Sequence, residues 1–323
     1  MFDLRRLNAI SKKVAGEIER ANNDLVFVHL CQFENNPSLL RYLHRQRTVY
    51  YCQEPLRLVY ETMPHRPYVS PDSWQRRALD SLDPFPGVYR KILKKNDWSN
   101  IQYPNRVLVN SQFVCDSVKN IYQLEAEVNY LGVDEIHFHP MGLEKQRMVL
   151  SVGSLTPLKG FDFLINALAL IPESERPPLA IVSNFQNPPE RDYLMSLAQE
   201  KGVVLNLMRN VSEEKLVELY NQAMLTVYAP HHEPFGFVSI ESMACATPVV
   251  AVREGGIQET VIHEKTGLLV HRNPQEFSEA ISRLLSDIDL ARQLGSEGRR
   301  HVLHNWTWDR SVTTLEGHFA SLL

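Results

Sequence analysis

Apolar and polar positions change their period repeatedly along the chain, and the changes mark out alternating strands and helices. Short β-rich runs occur at Asp24–Cys31 (DLVFVHLC), Thr48–Cys52 (TVYYC), Arg106–Asn110 (RVLVN) and Glu127–Leu131 (EVNYL). A second, more regular series follows at Met148–Val152, Leu179–Ser183, Val203–Leu207, Met224–Tyr228 and Pro248–Val252, each with a helical pattern behind it. Runs that are apolar without alternation are expected of strands covered on both faces, as in parallel sheets. Strands alternating with helices therefore predict an α/β protein. Helical patterns also open the chain, over Met1–Ala21, and close it, at Gln275–Ser286, Leu290–Val302 and from Trp306 onward. Between the second and third runs lies a Pro-rich stretch, Met63–Pro104, with PHRPYVSP and DPFPG. Irregular loops of that length in a compact domain are usually functional or mobile. Within it, Gly87–Trp98 (GVYRKILKKNDW) interleaves apolar residues with Arg90, Lys91, Lys94 and Lys95, which predicts a basic amphipathic helix.

Composition adds bounds. The chain has 323 residues, 44% hydrophobic and 22% charged, which is enough for two globular domains. The polar stretch around Pro140–Arg147 divides them, giving a first domain over residues 1–143, a second over 144–305 and a terminal helix over 306–323. A formal charge of −4 gives no general attraction to nucleic acid or an anionic bilayer. Four separated cysteines without a CxxC pair fit reduced thiols in a cytoplasmic protein. No apolar run reaches the ~18 residues of a spanning helix, and the N-terminus lacks a signal-peptide core.

Candidate chemistry gathers behind the second series of strands. Gly153-Ser154-Leu155-Thr156-Pro157-Leu158-Lys159-Gly160 follows the first, Glu233, Phe235 and Gly236 follow the fourth, and Glu254-Gly255-Gly256-Ile257 follows the fifth. Ligands of open parallel sheets bind outside the carboxyl ends of the strands. Helix N-termini with little side-chain bulk make anion sites, and a lysine adds a point charge suited to phosphate. Glutamates do the opposite work and accept hydrogen bonds from hydroxyls. Glu233 falls on a strand-to-helix loop, and Glu241, eight residues on, is expected about two turns into the helix. Together these groups suit a ligand that is part phosphate and part polyol, such as a nucleotide sugar.

VGSLTPLKGFDFLINAL, EPFGFVSIESMACATPVVA with its E-x7-E spacing, and GGIQETVIHEKTGLLV resemble the retaining glycosyltransferases of family 4, which have the GT-B fold. RVLVNSQFV, YLGVDEIHFHP and WTWDRSV extend the resemblance from about Arg106 to the C-terminus. It implies two Rossmann-like domains facing across a cleft, with a C-terminal helix crossing back to the first. It also implies metal-independent, retaining transfer of a hexosyl group from a nucleotide-diphosphate sugar to a glycan, lipid-linked or small-molecule acceptor, with no other cofactor. Lys159 would contact the donor diphosphate, with Gly153 and Ser154 in the same loop. Glu233 would hold sugar hydroxyls, and the Phe235 and Gly236 amides would lie against sugar or phosphate. Glu241 would bind the ribose, and Gly255 and Gly256 would let the last loop pack closely. Gln53 and Arg57, in YYCQEPLRLVYE, would stand on the acceptor side, as in a mannosyltransferase-like variant serving cell-envelope polysaccharide synthesis.

Three positions depart from that pattern. Ser154 stands where the family usually has arginine, SNFQN (Ser183–Asn187) replaces a glycine-rich turn, and Gln53 stands where a histidine would be. These departures keep a second reading open, a GT-B nucleotide-sugar-binding protein with weak or no transfer; a sugar-nucleotide epimerase is a third. Plainer assignments also stand beside each residue. A loop glutamate is by default a solvated charge, Arg57 reads equally as a surface ion pair, and His231 and His232 lack the partners of a metal site. The basic helix reads first as docked on its own domain with a solvated face, and second as a peripheral membrane contact. The chain opens on a helix rather than on a strand and glycine-rich loop. That predicts a shortened first domain, with either upstream sequence or homodimerisation covering its open strand edge.

Overall fold

In the computed structural model, which describes residues 2–31, 33–69 and 85–323, ten strands build two all-parallel sheets. The first is four-stranded, in the order β1 (Leu25–His29), β2 (Arg47–Cys52), β3 (Arg106–Val109), β4 (Glu127–Val128). The second is six-stranded and contains β5 (Gln146–Val152), β6 (Leu179–Ser183), β7 (Leu205–Arg209), β8 (Ala223–Tyr228), β9 (Val249–Val252) and β10 (Gly267–Val270). Its order, β10-β9-β8-β5-β6-β7, is that of a doubly wound nucleotide-binding sheet. The order of the strands reverses between β5 and β8, which run parallel, and the crevice outside their carboxyl ends is the place such a sheet offers a ligand.

The second sheet follows from its sequence. β6 and β9 are buried at every position and β8 at all but one, as the unbroken apolar runs predict. Leu150, Ile181, Leu225 and Val250 are fully covered, one side by the helices Phe161–Ala169 and Pro274–Ser286, whose Leu164, Ile165, Phe277 and Ile281 join that core. Two expectations need correction. The run at Val203–Leu207 forms its strand two residues later, because the Val203 amide donates to Ala198 O (2.9 Å) and still belongs to the helix end. Gly267–Val270 adds a sixth strand, an edge strand that opens on glycine, so only three apolar residues mark it.

The chain divides into two compact units. The first comprises Met1–Met63, Val69–Tyr130 and Val312–Leu323; the second comprises Pro64–Tyr68 and Leu131–Ser311. In the first, the run at Glu127–Leu131 shrinks to a two-residue strand. The final helix, Trp308–Ala320, lends this unit its later turns: Arg106 donates to His318 O (2.6 Å) and Phe319 packs on Phe27 at 5.1 Å. The opening helix spans Phe2–Ala21 and a further helix spans Phe85–Asn100, which covers the basic stretch. Val88, Tyr89 and Trp98 are exposed on it, and Lys94 lies over the Tyr60 ring. The remainder of the Pro-rich loop, residues 70–84, lies outside the described residues. Among the described residues, no helix is long and apolar enough to cross a membrane.

Candidate active site

The two strands at the switch point each deliver one charged group. The loop after β5 turns through a short 3-10 segment, Pro157–Lys159, and the loop after β8 carries Glu233. Lys159 Nζ donates to Glu233 Oε2 at 2.8 Å, so the pair spans the crevice. Both side chains are mostly buried, 24% and 16% exposed, which makes the pair more than a surface contact.

Beside Lys159 opens a cavity of about 340 Å³, lined by Gly153 and Ser154 from the β5 loop, Ser183 and Asn184 at the end of β6, and Asn210, Ser212 and Glu213 after β7. Ser183 is the last residue of its strand, and the others lie beyond the carboxyl ends of theirs. Ser212 caps the helix Glu213–Gln222, accepting from the Lys215 amide at 3.2 Å. SNFQN keeps its loop without glycine: Ser183 Oγ donates to Phe185 O at 2.6 Å, and the Leu155 amide donates to the same carbonyl at 2.8 Å. The β5 and β6 loops are thereby tied together along one wall.

Glu241 stands one turn into the helix Phe237–Ala244, closer to its start than the two turns the sequence suggested. Its carboxylate accepts from the Tyr220 hydroxyl at 2.7 Å. Burial raises its pKa, and the Tyr220 hydrogen bond only partly offsets that. Tyr228, buried at the end of β8, connects the two acids. Burial pushes its phenol up, and the hydrogen-bonded Glu233 carboxylate and then the Glu241 charge push further. Phe235 is buried with its ring against Phe237 (5.2 Å) and Trp306 (5.6 Å), which anchors the segment between the two glutamates. Gly236, at φ 103°, turns the chain into the helix.

The Glu254-Gly255-Gly256 loop closes on Glu233 from the other side. The Gly256 amide donates to Glu233 O at 2.8 Å. A Cβ at Gly255 would lie 2.4 Å from Glu233 O, and one at Gly256 would lie 2.2 Å from Pro234 O. Neither carbonyl can retreat without moving the acid, so only glycine fits. Arg272 fastens the loop from behind. It donates to Glu254 Oε1 and Oε2 (2.8 and 2.7 Å) and to the carbonyls of Ala229 and Pro230 (3.0 and 2.7 Å). Burial opposes the Glu254 charge, but the Arg272 hydrogen bonds and charge outweigh it and hold the carboxylate below its usual range. The covered His231 imidazole is pushed down, first by burial and then by Arg272.

The Lys159 loop also has a support that sequence reading missed. Arg66, 3% exposed, forks onto Asp162 (2.9 and 3.0 Å) and Glu190 (3.0 and 3.1 Å), and reaches Pro157 O at 3.3 Å. Glu190 is fully buried and also accepts from Tyr68. Gln53 and Arg57 belong to the first unit. Gln53 is half-buried just after β2, and Arg57 is paired with Glu61 at 2.9 Å and lies 4.0 Å from Glu54.

The chain can now be set beside known proteins. The family model for glycosyl transferases group 1 matches residues 133–301. An uncharacterized glycosyltransferase of Methanocaldococcus jannaschii is 32% identical over 203 residues, 60% of this chain and 51% of that protein. A D-inositol 3-phosphate glycosyltransferase of Thermobispora bispora is 35% identical over 180 residues, 52% of this chain and 42% of that protein. The chain thus spans about half the length of the curated relatives it matches. Among solved structures, sucrose-phosphate synthase from Thermosynechococcus elongatus superimposes with a TM-score of 0.76 at 23% identity, over 98% of this chain and 79% of its own. Anabaena HepE in complex with UDP-glucose gives 0.72 at 19% identity, over 96% and 82%. Both likenesses describe a GT-B fold.

Proposed function

Since the chain belongs to the group 1 glycosyl transferases, we propose that it is a retaining hexosyltransferase using a nucleotide-diphosphate sugar. The observation that carries this reading is the Lys159–Glu233 pair across the switch-point crevice, beside a cavity lined by small polar side chains together with Val152, Val182, Val211, Leu216 and the acid Glu213. Lys159 and the loop amides receive the diphosphate, and Glu241, held by Tyr220, accepts from the ribose. Glu233 turns from Lys159 to the hydroxyls of the sugar. As the bond from sugar to phosphate breaks, negative charge grows on the departing diphosphate. A lysine and oriented amides already in place stabilise it without reorganising. We assign this chemistry no metal. Ser154 leaves one cation in this loop where the family usually has two, so a slow rate is part of the reading.

One relative is named a D-inositol 3-phosphate glycosyltransferase and one protein of like fold is seen with UDP-glucose, so the acceptor class here stays broad: a glycan, a lipid-linked sugar or a small molecule. The exposed Val88, Tyr89 and Trp98 on a basic helix support a peripheral lipid contact, and the β1 edge supports self-association of the first unit.

The deciding assay offers UDP-, GDP- and ADP-hexoses and follows hydrolysis and transfer by NMR, with and without EDTA. Release of a sugar that keeps its donor anomeric configuration, unaffected by EDTA, is expected. Saturable nucleotide binding with no turnover for any donor would replace this reading with a non-catalytic sugar-nucleotide binder. An inverted product would overturn the retaining assignment.

A further inference from the structure

At the other end of the second sheet, where its strands begin, lies a cavity of about 520 Å³ that the donor chemistry does not use. Leu143, Met224, Ile288 and Ala291 form its apolar wall, and Lys145, immediately before β5, also lines it. Lys145 is exposed as a residue, but its Nζ is held against the protein by two hydrogen bonds, and it is the nitrogen whose surroundings matter here. It donates to Ala223 O at 2.9 Å and to Thr247 Oγ1 at 2.7 Å. Thr247 sends its own proton to Tyr220 O (2.7 Å), so towards Lys145 it is an acceptor. Two positions of the nitrogen are therefore occupied by neutral acceptors and a third by Cε. The fourth carries a proton in the ammonium and a lone pair in the amine.

We propose that Lys145 is a modification site, a nucleophilic amine beside a preformed cavity that takes a small acyl group from an acyl phosphate. The Nζ lone pair attacks the carbonyl carbon and forms an N–C bond. The C–O bond to phosphate breaks, phosphate leaves with the electron pair, and the amine proton goes to solvent. The apolar wall receives the methyl or short alkyl group. Arg292 lines the cavity and is mostly exposed; it lies 3.6 Å from the Asp289 carboxylate, a loose surface pair from which it can turn to the phosphate.

Electrostatics favour the free amine. Burial pushes the Lys145 pKa down to about 8, and the weak opposing influence comes from Cys245. Cys245 is itself pushed up to about 12, chiefly by burial, so it is a neutral thiol near pH 7. Glu144 and Arg292 are the other charged groups lining the cavity, and they carry opposite signs. Compared with an ordinary lysine at about 10.4, such a group holds roughly a hundredfold more free amine near neutrality, and its lower basicity gives back part of that advantage.

The test incubates the full chain with acetyl phosphate between pH 7 and 9.5 and reads each lysine by peptide mass spectrometry. Lys145 should label on the order of tenfold faster near pH 7.5 than the exposed Lys13, Lys91 and Lys265. Its rate should level off above pH 8 while theirs keep rising. Arg292→Ala should slow Lys145 labelling by acetyl phosphate severalfold and leave labelling by an uncharged acetyl thioester unchanged. Labelling no faster than the exposed lysines, or a rate rising in parallel with theirs, overturns the site. A thioester that outpaces acetyl phosphate, or an Arg292→Ala variant that labels normally, overturns the acyl-phosphate assignment.

Discussion

The two sheets share a parallel plan but differ in what surrounds their strand ends. In the second unit, Gly255 and Gly256 have no room for a methyl group, and their neighbours are backbone atoms of the proposed site. In the first, no glycine occurs between Gly16 and Gly87, and neither of those two has another atom within 4 Å of the place a Cβ would take. The loops after β1 and β2 are thus built from ordinary residues. Glycine marks the places where backbone must approach backbone or ligand, and here only one of the two sheets pays that entropic cost at its strand ends.

Ion pairs give the largest expected contrast. Arg66→Ala strands Glu190 in a fully buried position and should cost about 3–5 kcal/mol, read by urea denaturation. Arg20→Ala in the first unit removes a pair with Glu17 whose side chains are 73% and 69% exposed and should cost about 1 kcal/mol or less. Similar costs for the two would erase the distinction between buried support and surface pairing.

Glycines come next. Gly256→Ala should lose about 2 kcal/mol or more, as Pro234 and Phe235 are driven from their places. Gly16→Ala, inside the helix Phe2–Ala21, should gain about 0.5–1 kcal/mol. Thermal melts read both signs.

Nucleotide affinity sharpens the comparison further. Glu241→Ala should weaken nucleoside diphosphate binding by about 1.5–3 kcal/mol, roughly 10- to 150-fold. Gln53→Ala should leave it within about twofold; calorimetric titration of both variants decides. The Glu241 pKa is raised in the folded state, so its ionisation opposes folding. That penalty is absent at low pH and grows as pH rises from the ordinary glutamate range through the raised folded value. Glu241→Gln should accordingly gain stability relative to the parent above that window and not below it.

The smallest effect belongs to Ser154→Arg. A second cation in the cavity beside Lys159 should tighten diphosphate binding by about 1 kcal/mol at most, a few-fold. No gain would mean that the loop carries the phosphates on other groups.

Much of the second sheet is legible in the sequence. β6, β8 and β9 are readable because a strand covered on both faces has to be apolar at nearly every position. The E-x7-E spacing put one carboxylate on a loop and the other in a helix, but it set Glu241 a turn too deep, because the helix begins only at Phe237. Tyr220 and Tyr228 were not legible. A tyrosine in an apolar run looks like any core aromatic until its hydroxyl is seen beside a carboxylate. Arg66 was hidden for a different reason. Its partners, Asp162 and Glu190, are 96 and 124 positions away, and no local period records a pairing at that distance. The β10 strand is no shorter than β9, but it opens on Gly267, so only three apolar residues mark it.

The bond between Lys159 and Glu233 has one more consequence. Each group satisfies the other, so an arriving molecule that engages only one of them leaves its partner half-buried and unanswered. A free phosphate would satisfy the lysine and strand the acid, and a free sugar would do the reverse. A ligand carrying both parts on one frame answers both at once. On the proposed function, the crevice would work as a coincidence detector, with a threshold set by its own internal bond.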